Sequence, residues 1–377
     1  MNRFVYLDNN ATTKVDKEVL SAIQPYLNEN FGNPSSLYGF GKDVKKAIKN
    51  ARKMLAKLLN CNADEIVFTS GASESNVTAI MSAIHNNPNK KHIITTKVEH
   101  SSILETMKSL ENQGYKVTYL NVDEYGRLDL NELQNSISED VCLISVMLAN
   151  NELGNIYPIK KIGEIAKEHN ILFHCDAVQA VGKIPVDVKD LNVDTLSLSG
   201  HKLHALKGVG ALYVKNGVNL NSLVFGHQES GRRGGTENVV GIVSLGKAVE
   251  LLLENNFEHV EYIKNLRDYF EKKIQTQIDG VKVYGDPANR ISNTSLIAFK
   301  NVDALELMFM LESQGIYVST GSACNSESAK PSDVLVACKA NLKEFSPIRV
   351  SLSKYTIMED IDYLVECLKK NINKLRR

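Results

Sequence analysis

The feature that most limits the folds open to this chain is a regular alternation of strand-like and helix-like runs between Glu65 and Val214. Apolar strand-like runs cover 65–69, 92–96, 115–122, 142–149, 171–176, 194–198 and 210–214. Helical periodicity fills most of the gaps, at 73–84, 101–112, 130–137 and 159–169, and an amphipathic helix at 42–59 precedes them. Strands that are apolar nearly throughout belong to a sheet covered on both faces. Joined by helices, they predict an α/β architecture: a mostly parallel central sheet with helices on both faces. From Val239 the texture changes. A long helical stretch, 239–278, breaks near Asn255-Asn256; strands follow at 281–284 and 294–299, and helices at 304–314 and 357–374. Thr356 and Glu359 are spaced as a capping box for the last of these. This part predicts a smaller α+β domain.

Composition narrows the function by exclusion. At 377 residues the chain is long enough for two domains. Lys+Arg and Asp+Glu both number 44, so no bulk charge is available to hold a nucleic acid or an acidic membrane. No apolar run reaches membrane-spanning length, and Met1-Asn2-Arg3-Phe4 is not a signal-peptide start. The six cysteines lack Cys-x-x-Cys spacing, which predicts a reducing cytoplasm and no disulfide scaffold or metal site.

The chemistry gathers where an α/β sheet places it, after the carboxyl ends of strands. Lys202 closes Ser197-Leu198-Ser199-Gly200-His201-Lys202, and Asp176 closes the run 171–176. A lysine able to form a Schiff base and a carboxylate able to keep a pyridinium nitrogen protonated are the pair that pyridoxal phosphate requires. The stretch 69–76 is a strand end, a glycine turn and a helix start, whose free N–H groups suit a phosphate. No Gly-x-Gly-x-x-Gly follows the first strand, so a dinucleotide site lacks support. Arg349, among the apolar residues of 348–352, needs an anionic partner, either a substrate carboxylate or an internal ion pair. Cys324 lies in a small, polar, loop-like stretch before Pro331, where a thiol is placed for reaction rather than packing. The other five cysteines lie in strand, helix or turn contexts that suit inert thiols, and Cys175 is expected to face away from Asp176.

Ten stretches carry a specific resemblance, in order and over nearly the whole chain. They are 6–13 (Tyr-Leu-Asp-Asn-Asn-Ala-Thr-Thr), 31–36, 69–76, Glu99-His100, Asn150-Asn151-Glu152, Asp176-Ala177-Val178-Gln179, 199–202, Arg232-Arg233-Gly234-Gly235-Thr236, Gly321-Ser322-Ala323-Cys324 and Ile348-Arg349-Val350-Ser351. Together they resemble the cysteine desulfurases of the NifS/IscS-like family, within the class V aminotransferase group of fold-type I pyridoxal phosphate enzymes. The resemblance implies a large cofactor-binding domain, 15–255. It implies a small α+β domain, 1–14 and 256–377, carrying the cysteine loop at about 319–331. Lys202 would hold the cofactor and move protons, Asp176 would pair with the ring nitrogen, Gln179 with the ring hydroxyl, and His100 would stack on the ring. Ala72, Ser73, Ser199 and His201 would bind the phosphate, with Thr236 reaching the site of the other subunit in a homodimer. Asn151 would lie beside cofactor and substrate, and Arg349 would take the substrate carboxylate. L-Cysteine would become L-alanine, with its sulfur left on Cys324 as a persulfide for an acceptor protein, such as an iron–sulfur scaffold, or for other thiolation pathways. Tyr38, Leu206 and Phe225-Gly226-His227-Gln228-Glu229 depart from the family pattern. Two other readings stay open on the residues: a selenocysteine lyase or aminotransferase of the same fold, and a sulfur-carrier scaffold with little turnover.

Overall fold

The computed structural model describes residues 3–321 and 331–376, so Cys324 lies outside the described residues. The first strand, β1 (Val5–Tyr6), belongs to the far part of the chain, as its pairing below shows. Seven strands then build the main sheet: β2 (Ile66–Thr69), β3 (His92–Thr96), β4 (Lys116–Leu120), β5 (Val141–Ser145), β6 (Leu172–Asp176), β7 (Thr195–Ser199) and β8 (Gly210–Val214). Their order is β2-β8-β7-β6-β5-β3-β4, and β8 alone runs antiparallel to its two neighbours. The mostly parallel sheet expected from the sequence is therefore present. β2, β3, β5, β7 and β8 are buried at every position. That accounts for their unbroken apolar character.

Helices cover both faces. Gly39–Leu59 buries Val44, Ile48, Ala51, Leu55 and Leu59 along one stripe and packs on Val239–Glu254. Truncating a fully buried residue such as Leu55 to alanine costs about 2–5 kcal/mol in such a core. Ala72–Asn86 packs on Ser101–Glu111 on the other side. The helical run 239–278 breaks as expected, into Val239–Glu254 and His259–Gln277, with Asn256 and Phe257 in the left-handed region between them.

Three further strands, β9 (Val281–Tyr284), β10 (Thr294–Lys300) and β12 (Phe345–Ser351), form an antiparallel sheet in the order β12-β10-β9. β11 (Ile316–Tyr317) pairs in parallel with β1, and an isolated bridge joins Asp8 to Ser351. A separate hydrophobic cluster, with Phe270, Phe299, Leu307 and Leu364 at its heart, lies under these elements.

Two local expectations need correction. The run expected as a strand over 142–149 is a strand only to Ser145, although the Val146 and Leu148 N–H groups still bond to His174 O and Asp176 O of β6. The last helix, Met358–Leu375, is capped by Asp360 accepting from the Ile357 N–H rather than by Thr356 and Glu359. The Thr356 hydroxyl instead accepts from the Ser353 N–H, one turn earlier. No helix among the described residues is long and apolar enough to cross a membrane.

Candidate active site

Five parallel strands end on one side of the sheet, and the chain beyond each end contributes to a single cavity of about 530 Å³. Beyond β2 come Gly71, Ala72 and Ser73; beyond β3, Glu99 and His100; beyond β5, Met147 and Asn151. β6 supplies Asp176 and then Gln179, and β7 supplies Ser199, His201 and Lys202. Arg349 of β12 and Asn10 close the remaining side. Ten of the predicted site residues are thus brought together. Thr236 is exposed and does not line the cavity.

One end of the cavity is a helix start. Ala72–Asn86 opens at the cavity wall, and the first turn of a helix leaves N–H groups without intrahelical partners. The backbones crowd there: a Cβ on Gly210 would sit 2.7 Å from the Gly71 Cα. Glu74 lies in that first turn, where an anion would oppose a phosphate. Arg233 neutralises it at 3.0 Å, and the Ser70 N–H donates to its other oxygen at 2.9 Å. Burial alone would raise the Glu74 pKa, but these donors hold it below its ordinary value. Next to it, burial and the charges of Lys202 and Lys207 bring the His201 pKa down to about 4.

The floor is a chain of hydrogen bonds ending on Asp176. β6 and β7 place His174 opposite Thr195 and Asp176 opposite Ser197. Period-two geometry turns His174 and Asp176 to one face and Phe173 and Cys175 to the other. The His174 ring lies 2.9 Å from the Thr195 hydroxyl and 3.0 Å from Asn76 Oδ1. Burial lowers its pKa to about 4, so it is neutral. Asn76 Oδ1 can only accept, which places the proton on Nε2 and leaves Nδ1 to accept from Thr195. Asn76 Nδ2 then donates to Asp176 Oδ2 at 2.8 Å, and the Val178 N–H donates to Oδ1 at 3.0 Å.

His100 is the N-cap of Ser101–Glu111, accepting the Ser102 N–H at Nδ1, and its ring lines the cavity. The plain role of a polar residue at a helix start and a place at the cavity wall therefore coexist. Beside it Glu99 is fully buried. Its Oε1 accepts from Thr96 Oγ1 at 2.7 Å and from the Met147 N–H at 3.1 Å. Burial, with the Asp176 charge adding to it, pushes its pKa up to about 8.

Lys202 Nζ donates to the backbone carbonyls of Asn10 and, at 2.7 Å, Ala11. Asn10 is the hub of this wall. Its Nδ2 donates to Asn151 O and Thr294 Oγ1, and its carbonyl also accepts Gln179 Nε2 at 3.0 Å. Arg349 is 1% exposed at its side chain and pairs with Asp8 at 2.7 Å, while a second nitrogen donates to Asn151 O. Its Nε has no partner among the described residues. Both options raised by the sequence meet here: the arginine has an internal anion, and it faces the cavity. Glu152 lines the same side, with Ser332 donating to it at 2.5 Å and burial raising its pKa.

Of the other cysteines, Cys142, Cys175, Cys338 and Cys367 are buried and Cys61 is partly so. Burial pushes Cys61 and Cys338 up to about 12, Cys142 up to about 11 and Cys175 well above its ordinary value. Thiols so placed are poor nucleophiles.

The sequence reading gave no role to His174, Asn76, Glu99, Lys183, Asp8 or the hub Asn10. One signal was available: His174 is a polar residue two positions from Asp176 in an otherwise apolar strand. The partners of Asn76 and Asp8 come from distant segments and had no local sign.

Such a cavity defines a class before it defines a family. An anion cradle at a helix start, a buried carboxylate held by neutral donors and a lysine on the facing wall form the donor set for a phosphorylated pyridine aldehyde. The residues present fit pyridoxal phosphate, on an α/β fold of the fold-type I kind.

The chain belongs to the class-V aminotransferase family, which it matches over residues 5–364. That family uses pyridoxal phosphate. Among its relatives is the cysteine desulfurase IscS of Methanosarcina thermophila, 48% identical, covering 100% of this chain and 93% of that protein. A solved NifS-like protein superimposes with a TM-score of 0.93 at 37% identity, covering 99% of this chain and 100% of that one. A structure of SspA in complex with cysteine has a TM-score of 0.82, also at 37% identity, covering 94% and 100%.

Proposed function

We propose that this protein is a pyridoxal phosphate-dependent cysteine desulfurase, converting L-cysteine to L-alanine and carrying the sulfur on Cys324. The observation that carries the reading is the convergence of Lys202, Asp176, Arg349 and a helix start on one cavity. Identity near one half, over the full length, to an enzyme named for that reaction supports it. When bound, the cofactor supplies an electron sink for the Cα–H bond.

The chain's own residues do the rest. Ala72 and Ser73 N–H groups, with Ser199 and His201, hold the phosphate. Asp176 keeps a proton on the ring nitrogen, and Gln179 donates to the ring hydroxyl. His100 covers the ring face. Arg349, with Asn151 beside it, holds the substrate carboxylate. Lys202 takes the Cα proton and later returns one. The Cys324 thiolate attacks the substrate sulfur, forming the S–S bond as the C–S bond breaks, and the alanine skeleton keeps that electron pair.

The finer reading has four parts. The chain divides into a large domain, 15–255, and a small one, 1–14 with 256–377, since β1 and the Asp8 bridge tie the N-terminus to the later strands. It works as a homodimer in which Thr236, away from its own cavity, reaches the phosphate of the other subunit. It acts in the cytoplasm. Its persulfide passes to an acceptor protein, for which an iron–sulfur scaffold is the first candidate.

The test is the visible spectrum of the purified, cofactor-loaded protein before and after L-cysteine, with alanine and sulfide assayed together and Cys324 examined for persulfide by mass spectrometry. Equal yields of alanine and transferable sulfur, with a Cys324 persulfide, are expected. Alanine with free sulfide and no such persulfide means a lyase, a need for a keto acid means an aminotransferase, and no alanine at all leaves a scaffold.

A further inference from the structure

A second cavity, of about 260 Å³, lies behind the first, and Lys202 lines both. Lys183 lines only the rear one, whereas Asn10 and Gln179 line only the front one. Asn10 and Gln179 therefore stand between Lys183 and the front cavity, while Lys202 borders both. Lys183 is brought there by a tight loop after β6, in which the Val181 N–H bonds back to Ala177 O and the Lys183 N–H to Ala180 O. Gly182 permits the turn. Its φ is +78°, and a Cβ there would sit 2.7 Å from Leu203 Cδ2.

Lys183 is part-buried and makes no ion pair among the described residues. Its Nζ lies 2.5 Å from Gln179 Oε1 and 3.2 Å from Asn10 Oδ1. Burial first, then the charges of Lys202 and Arg349, holds its pKa well below the ordinary lysine value. Glu258 also lines the rear cavity, with no ion pair among the described residues. Lys354 is paired with Asp16, and burial lowers the pKa of His204 and of His259. The Lys183 nitrogen donates to both Gln179 Oε1 and Asn10 Oδ1.

We propose that Lys183 is a positioning residue that fixes the orientation of the Gln179 amide. Lys183 and Asn10 sit on opposite ends of that amide: the amine meets Oε1, and the Asn10 carbonyl meets Nε2. Turning the amide over would set its carbonyl oxygen against the Asn10 carbonyl and take Oε1 away from the Lys183 nitrogen, so both of the present hydrogen bonds would be lost. With the amide fixed, Nε2 keeps one N–H beyond the bond to Asn10, on the end that can serve the ring oxygen of the cofactor. The inference rests on the cofactor reading above, and it adds a residue that does not line the cofactor cavity.

The measurement is the pH midpoint of the visible cofactor band, without substrate, which reports the proton shared between the ring oxygen and the Lys202 nitrogen. Losing a donor to that oxygen makes the pair more basic. In Lys183→Met the midpoint should rise by about one pH unit, the worth of about one hydrogen bond. Lys183→Arg, which keeps the donors, should recover at least half of the rise. In a Gln179→Ala background the Lys183→Met change should add nothing. An unmoved midpoint overturns the proposal. So does an equal shift with and without Gln179, which would mean that Lys183 acts through charge or packing alone. If Lys183→Met does not fold, Lys183→Gln is judged by the same shift and the same background. A wild-type protein that shows no band when loaded would overturn the cofactor reading as well, whereas a normal wild-type band with an unmoved variant sinks only the inference.

Discussion

The floor of the cavity and its carboxylate side solve opposite problems. On the floor, Thr195, His174 and Asn76 are neutral, lie in a line and end on the one anion, Asp176. Each link is paired without any ligand. On the other side Arg349 is a buried cation whose charge is met by Asp8, and its Nε is unpaired among the described residues. A buried charge needs both a counter-charge and satisfied donors. The floor is therefore finished before anything binds, while the arginine side has one anion and room for another. The difference teaches a division of labour. On the proposed function, the floor would set how well the chemistry runs once substrate is in place, and the arginine how readily a carboxylate enters.

The largest effect should come from the residue between the two regions. Lys202→Ala is expected to remove the wild-type visible cofactor band and to reduce alanine formation to background, while the circular dichroism spectrum stays native. A variant that kept both band and turnover would remove Lys202 from the chemistry. Next comes Arg349. Arg349→Ala deletes one partner of a buried pair and leaves Asp8 uncompensated, a loss of about 3 kcal/mol, or roughly a hundredfold in kcat/KM, carried mainly by KM. Arg349→Lys keeps the charge without the planar fork and should lie between alanine and wild type. A fall confined to kcat would mean that the arginine side, too, acts on the chemistry.

The floor should show the converse. His174→Gln interrupts the line that orients Asn76 toward Asp176. We expect a fall of about tenfold in kcat, the worth of one hydrogen bond to a charged group, with KM for cysteine unchanged. A change in KM instead would break the division of labour.

The floor and the arginine side also differ in how far the sequence revealed them. The strand alternation displayed the sheet, and Asp176 and Lys202 stood at strand ends where chemistry collects. The candidate anion cradle was legible because a strand, a glycine and a helix start are local. The partners were not. Asp8 lies 341 positions from Arg349, and Asn76 lies 100 from Asp176, so only the folded chain joins them. Glu229 shows the same limit. It falls in a segment that departs from the family pattern, with φ of +49° and its neighbour Ser230 at +59°. Yet its carboxylate takes both Arg52 nitrogens and the Phe68 N–H, contacts that hold the segment against the end of β2.

The smallest effect tests an unfinished group next to the floor. Glu99 is buried, its Oε2 has no partner among the described residues, and Asp176 is the anion nearest to its titration. Burial raises its pKa to about 8, against about 4.3 for a free glutamate. Between those values the unfolded chain has lost the proton and the folded chain keeps it. The folded state then binds more protons, so stability must fall as pH rises through this window and level off above it. Other groups titrate over the same range, so the informative quantity is a difference. Glu99→Gln replaces the protonated carboxyl with a neutral amide of the same shape, which can still accept from Thr96 and Met147. Urea midpoints measured at pH 5 and pH 8 should fall less in Glu99→Gln than in the wild type. At pH 5 the two proteins should be nearly equal in stability, and at pH 8 the variant should be the more stable. If the wild type and the variant lose the same amount, Glu99 is ionised in the folded protein. The floor would then carry two anions rather than one, and the contrast with the arginine side would lose its basis.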